Sequence, residues 1–232
     1  MTRGILIAGN ESSLFSAAAA EAVKRVASFV SVQIPNRFPL PDGGTVPPPM
    51  AGPPRTELAG AIPLSWNPAS PLSARTLVLA AENKLKQIND AILICSPPAV
   101  FKTAGTLTPE EIDILLNDHI KGWFFLVREL VLYFRRSGAG SLSLVMPDIG
   151  SGSGVKNAPV DLLGPSSAAS FRAFAQGLLA SSANEVFNIM GFTTTETGTE
   201  ADFAAWFFKI IDETARKNSG RMHKYARLGF FK

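Results

Sequence analysis

The feature that most limits how this chain can fold is a six-residue run, Gly4 to Gly9 (GILIAG), apolar at every side chain and closed by glycine. A strand whose neighbouring side chains are all apolar has both faces covered, as a central strand of a parallel sheet does. Ser12 to Ala27 follows with a serine start, an alanine-rich body and basic residues late, the pattern of a helix. Phe29 to Ile34 then reads as a second strand. Strand, helix and strand in so short a span form a βαβ unit, whose crossover is right-handed.

The alternation continues to the end of the chain. Leu72 to Gln87 is a helix, and Asp90 to Cys95 (DAILIC) is a buried strand closed by Ser96-Pro97-Pro98. A long helix runs from Pro109, a favourable first helical residue after Thr108, to Arg136. Gly138-Ala139-Gly140 breaks to a strand at Ser141 to Met146. The glycine- and serine-rich loop Gly150 to Gly154 leads to a small-residue helix, Pro165 to Ser181. Glu185 to Met190 reads as a strand, Ala201 to Lys217 as a helix, and the tail around Met222 as a last strand. The expected fold class is α/β, a three-layer Rossmann-like sandwich with a mainly parallel sheet, formed as one domain over residues 1–232.

One stretch departs from this rhythm. Eleven of the seventeen prolines lie between Pro35 and Pro71, including Pro47-Pro48-Pro49. Proline fixes φ and removes a backbone donor, so an irregular insertion is expected at 35–71, interrupted by a short strand near Ala61 to Ser65. It reads as a surface loop, with a proline-rich partner motif or a lid as the alternatives.

Composition bounds the setting. Hydrophobic residues make up 46% and charged residues 18%, which excludes a disordered chain. No apolar run approaches the roughly 18 residues of a membrane span, and the run before Gly9 is too short for a signal peptide. With one cysteine, Cys95, no internal disulfide forms; the expectation is a soluble cytoplasmic protein. The net charge of +3 is mild, with Arg216, Lys217, Arg221, Lys224, Arg227 and Lys232 gathered near the C-terminus. They read as a solvated helix end, and sparse aromatic interleaving argues against nucleic acid.

Several landmarks, taken in order, resemble the short-chain dehydrogenase/reductase family across nearly the whole chain. Gly4 to Gly9 resembles its first strand and the first glycine of its cofactor turn. Asn89 to Ile94 resembles the strand leading to its Asn-Asn-Ala-Gly motif. His119-Ile120-Lys121-Gly122 stands where the family has Asn-x-x-Gly, and Gly140-Ser141-Leu142 resembles a Gly-Ser-Ile start. Phe187 to Phe192 resembles the later strand ending in Pro-Gly, and Ser219-Gly220-Arg221 the final Thr-Gly-Gln turn.

What the resemblance implies about chemistry, the residues do not supply. The family's Gly-x-x-x-Gly-x-Gly turn reads Gly9-Asn10-Glu11-Ser12-Ser13-Leu14-Phe15, so Ser13 and Phe15 replace the second and third glycines. Both side chains are expected to crowd the diphosphate and the sheet, and Glu11 to repel the diphosphate. Gly9, Asn10, Ser13 and Ser96 are the positions where a cofactor contact would survive. The family's tyrosine and the lysine four residues on fall at Ser167 and Phe171 or, with a one-residue shift, at Ala168 and Arg172; its serine falls at Pro147 and its asparagine at His119. The only tyrosines, Tyr133 and Tyr225, have Ser137 and Gly229 four residues on, so no Tyr-x-x-x-Lys pair exists. The expectation is a dehydrogenase-like pseudoenzyme acting as a binding or structural subunit with no cofactor. The alternative is a divergent NAD(P)-dependent oxidoreductase using a non-standard site.

Other chemistry fares worse. Gly150 to Gly154 is out of phase with a nucleophile elbow, and His119, His223 and Cys95 are too scattered for a metal. Asp148, just past a strand, is the remaining carboxylate of interest. Ile112 to Phe134 is apolar around most of a helix, which needs cover on two sides. A homo-oligomer through the helices near 109–136 and 165–181 is therefore expected, the family pairing subunits through these helices.

Overall fold

The computed structural model describes residues 3–26, 28–34, 37–38, 60–97, 99–148, 161–213 and 216–226. Seven strands form one sheet: β1 (Ile5–Asn10), β2 (Phe29–Ile34), β3 (Ala61–Leu64), β4 (Asp90–Ile94), β5 (Ser141–Pro147), β6 (Asn188–Thr194) and β7 (Arg221–Tyr225). Their order is β3-β2-β1-β4-β5-β6-β7 and every pairing is parallel. Because successive side chains alternate across a strand, β1 feeds two cores at once. Leu6 and Ala8 join the layer made by α2 (Pro71–Leu85), α4 (Gly122–Ser137) and α5 (Leu163–Ser181). Ile5 and Ile7 join the layer made by α1 (Ser13–Val23) and α6 (Glu200–Asp212). Pro63 sits on β3, an edge strand, where a missing backbone donor is tolerated.

Helix starts follow the sequence signals. The side chains of Ser12, Ser70 and Thr108 each accept a hydrogen bond from a first-turn N–H, and Thr108 completes a capping box with Glu111. The long helix is continuous from α3 (Pro109–Ile114) into α4, but between them lies a π-helical turn, Leu115–Lys121. The extra residue in this turn brings Asp118 and His119, adjacent in sequence, both to the inside. Gly122, at its end, passes close to Pro68: a Cβ there would lie 2.6 Å from the proline ring.

Several boundaries move. The strand expected at Glu185 to Met190 runs instead from Asn188 to Thr194. Glu185 is held outside the sheet by the forked guanidinium of Arg135 (2.5 and 2.9 Å), and Val186 is exposed. Helices α1 and α6 end earlier than expected, at Val23 and Asp212; Asp212 accepts from Arg3 and Arg25, tying α6 to β1 and α1. Arg221 and Lys224, expected on a helix end, are exposed residues of β7. The bulk of the proline-rich insertion and the Gly150 to Gly154 loop lie outside the described residues. Among the described residues no helix is long and apolar enough to cross a membrane.

Candidate functional site

In an open α/β sheet the ligand crevice lies beyond the carboxyl ends of the strands, where the order reverses. Here the reversal falls between β1 and β4, so the relevant ends are Asn10, Ile94 and, further along, Pro147 and Thr194.

Two groups of side chains meet there. The first lines a small cleft of about 40 Å³ that brings together Ser13, Ser96 and Pro147, three of the positions singled out in the sequence, with Thr194, Glu196 and Glu200. A typical ligand pocket measures roughly 300–1,000 Å³. Phe15 is not in this cleft. The expectation that its ring crowds a phosphate is corrected: at the third residue of α1 it turns inward, 1% exposed, and packs among Leu14, Ala18 and the strand residues of the α1–α6 core. Its ring fills the room left by Gly9, where a Cβ would stand 3.1 Å from the ring and 2.7 Å from the Ile94 carbonyl. Ser13 is exposed at the cleft, while Ser12 Oγ accepts from the N–H of Phe15 at 3.1 Å.

The second group is sealed. Asn10 Nδ2 lies 3.4 Å from His119 Nδ1, and the Phe38 ring stacks on the imidazole with centroids 5.5 Å apart. Ser167 Oγ donates to the His119 carbonyl at 3.2 Å. Asn10, Phe38, His119 and Ser167 are all buried, and Asn10 Oδ1 and His119 Nε2 have no hydrogen-bond partner among the described residues. Burial pushes the His119 pKa down to about 4, with Asp118 opposing and Arg37 reinforcing. Burial likewise pushes the Cys95 thiol up to about 12, a contact with Ser167 working in the other direction, which disfavours the thiolate. Arg37 grips the buried Asp118 through two hydrogen bonds, one of 2.6 Å. Arg37 and Phe38 are thereby held over the π-turn.

Arg172 and Asp148 are brought together elsewhere, in a paired ion bridge of 3.0 and 2.8 Å. The bond from Arg172 holds the Asp148 carboxyl below its ordinary range. Among the described residues, no three His, Cys, Asp or Glu are grouped to hold a metal ion.

No family sequence model and no curated protein sequence matches this chain. Solved structures do. A short chain dehydrogenase from Mycobacterium smegmatis superimposes with a TM-score of 0.68 at 14% identity, over 98% of this chain and 93% of that one. A 3-ketoacyl-ACP reductase from Sinorhizobium meliloti 1021 gives 0.69 at 15% identity, over 96% of each. An NADH-dependent reductase complexed with NAD gives 0.68 at 11%, over 97% and 95%. The fold is that of the short-chain dehydrogenases and reductases.

At the positions that the sequence resemblance assigns to the cofactor and the chemistry, the side chains have other partners. In one register the tyrosine and lysine positions hold Ser167, buried and bonded to a backbone carbonyl, and the buried Phe171; in the other they hold Ala168 and Arg172, which is paired with Asp148. The asparagine position holds His119, stacked under Phe38, and Pro147 at the serine position brings no hydroxyl. In Rossmann-type sites a carboxylate beyond the second strand binds the ribose, or an arginine takes a 2′-phosphate. Here β2 ends in Ile34, and Arg37 is bound to Asp118. Sequence reasoning missed Phe38, the Arg37–Asp118 pair, Glu196, Thr199 and Glu200. A Thr-x-x-x-x-Thr-Glu run between a strand and an apolar helix (Thr194, Thr199, Glu200) was the one available signal for the last of these.

Proposed function

We propose that this chain keeps the short-chain dehydrogenase/reductase fold without its hydride transfer, and serves as a binding or structural subunit. The observation that supports this most directly is the location of its two phenols, since hydride transfer in this fold needs a phenol acid beside the reacting carbon. The hydroxyl of Tyr133, a buried residue of α4, accepts from Ile88 N at 2.9 Å. Tyr225 pairs in register with Thr194 and packs on Phe203 and Trp206, in the α1–α6 layer and not in the layer of α5. The test is thermal unfolding with oxidised and reduced nicotinamide dinucleotides, alongside a turnover assay. A ligand at a hundred times its dissociation constant stabilises by about 2.7 kcal/mol. No shift at millimolar dinucleotide is expected; a clear shift with turnover would restore the oxidoreductase reading, with NAD(P) in an unusual pose.

The subunit reading carries an association surface with it. The outer face of α3–α4 leaves Leu116, Phe124 and Leu132 nearly half exposed, and Phe124 stacks on Phe174 of α5 at 4.1 Å. Beside them α5 exposes the small residues Ala169, Ala173 and Gly177, which permit close approach. Apolar surface of this kind marks an interface. Light scattering at micromolar concentration is expected to give a dimer or tetramer, and a monomer would refute it.

A further inference from the structure

Phe38 covers the Asn10–His119 pair by shape and fails it by chemistry. Its ring is 5% exposed, clusters with Ile114, Leu115 and Leu163, and lies within 12° of the plane of the His119 imidazole. Stacking of this kind suits any flat ring, phenyl or otherwise. The contact between Asn10 and His119 uses one donor and one acceptor. Whichever way the Asn10 amide is turned, one donor and one acceptor are left over, at its other terminal atom and at His119 Nε2. Both are buried, and neither has a hydrogen-bond partner among the described residues. A phenyl ring satisfies neither, and buried polar atoms left unpaired are costly.

The neighbouring residue holds the ring in place. Arg37 forks onto Asp118, whose side chain is wholly buried, while its own side chain is 43% exposed. Outside it lies an open cleft of about 360 Å³ lined by Arg37, Glu110, Asp113, Ile114 and Asn117, within the size range of ligand pockets. Ile114 belongs both to this cleft and to the cluster around Phe38, so the two share a wall.

We propose that Phe38 is a latched plug: it occupies a binding site for a flat, uncharged heteroaromatic ring carrying one hydrogen-bond donor and one acceptor on its edge, and the Arg37–Asp118 pair holds it there. The proposal rests on the binding reading given above and supplies it with a ligand class. A ligand that must displace the plug binds more weakly, in proportion to the fraction of molecules whose site is open. Loosening the latch raises that fraction.

The experiment titrates the full chain with 2-pyridone, a ring of the size of phenyl with an N–H beside its carbonyl, and with benzene as the plain ring, read by thermal unfolding. Arg37→Gln and Asp118→Asn are made together, so that no charge is left buried alone. This latch variant and Phe38→Ala should each bind 2-pyridone at least about tenfold more tightly than the natural chain does, and more tightly than they bind benzene. Phe38→Leu, which keeps the site filled, should respond as the natural chain does. Benzene binding Phe38→Ala as well as 2-pyridone would reveal an apolar hole that makes no use of Asn10 and His119. A gain in Phe38→Ala that the latch variant lacks would make Phe38 an ordinary core ring. Either result overturns the proposal, as does the absence of any gain in the folded variants. Should Phe38→Ala not fold, the latch variant decides alone, since it leaves the ring in place. Dinucleotide stabilising the natural chain with turnover is a separate result, and it overturns the non-catalytic reading instead.

Discussion

Replacing Phe15 with alanine is expected to destabilise the fold by about 3–5 kcal/mol, the cost of truncating a buried phenylalanine, and to confer no dinucleotide affinity. The ring is 1% exposed and stands between β1 and α1 in a core that also holds Phe203, Phe207 and Phe208. Removing it opens a void bounded by Gly9, a residue with no side chain to move in and fill it. Domains of this kind have roughly 5–15 kcal/mol in hand, so the variant should fold yet unfold at visibly lower urea. An outward-facing Phe15 predicts the reverse: a loss below about 0.5 kcal/mol and a relieved phosphate site. Urea denaturation and the dinucleotide titration on the same sample distinguish the two.

The second large effect is on pH. His119 is held neutral by burial, its pKa near 4 when folded against an ordinary value of 6.5. The unfolded chain therefore binds a proton that the folded chain refuses, and stability falls as pH drops through 6.5 towards 4. The full loss is about 3 kcal/mol, of which about 2 kcal/mol should be gone by pH 5. Carboxylates held low by partners, such as Glu111 beside Lys102 and Glu185 beside Arg135, contribute in the same direction at lower pH. Comparing pH 7 with pH 5 isolates the histidine. His119→Asn should lower stability at pH 7, since it removes the stack with Phe38, but should flatten the slope between those two values. An unchanged slope would mean that His119 is solvated and protonated normally.

The architecture was legible where physics demands particular residue types in particular order. β1 and β4 are covered on both faces, so their runs had to be largely apolar, one reaching Gly9 and the other stopping at Ser96-Pro97. The absence of Tyr-x-x-x-Lys was equally plain, because that pair is a matter of residue type and spacing alone. What the sequence hid depends on distant partners. The π-turn has the composition of an ordinary helix, and what distinguishes it is that Asp118 meets Arg37, 81 residues away. The strand β6 was placed three residues early because Val186 and Phe187 look like strand residues; only Arg135, from another helix, shows why Glu185 stays out. The direction of Phe15 was likewise unreadable, since a side chain at the third residue of a helix faces either the ligand or the sheet according to how that helix sits on its strand.

The position of β4 beside β1 also bears on how the chain is made. Gly4 meets Asn89 across 85 residues, with the βαβ unit, the insertion and α2 emerging from the ribosome between them. Until then one edge of β1 has no neighbour, and its side chains are apolar on both sides. Such long-range parallel pairing forms slowly, and an open apolar edge invites association with other nascent chains. A fragment truncated before Asp90 should thus be insoluble, and synthesis of the intact protein should benefit from chaperones that shield the edge for the time it takes to translate this interval.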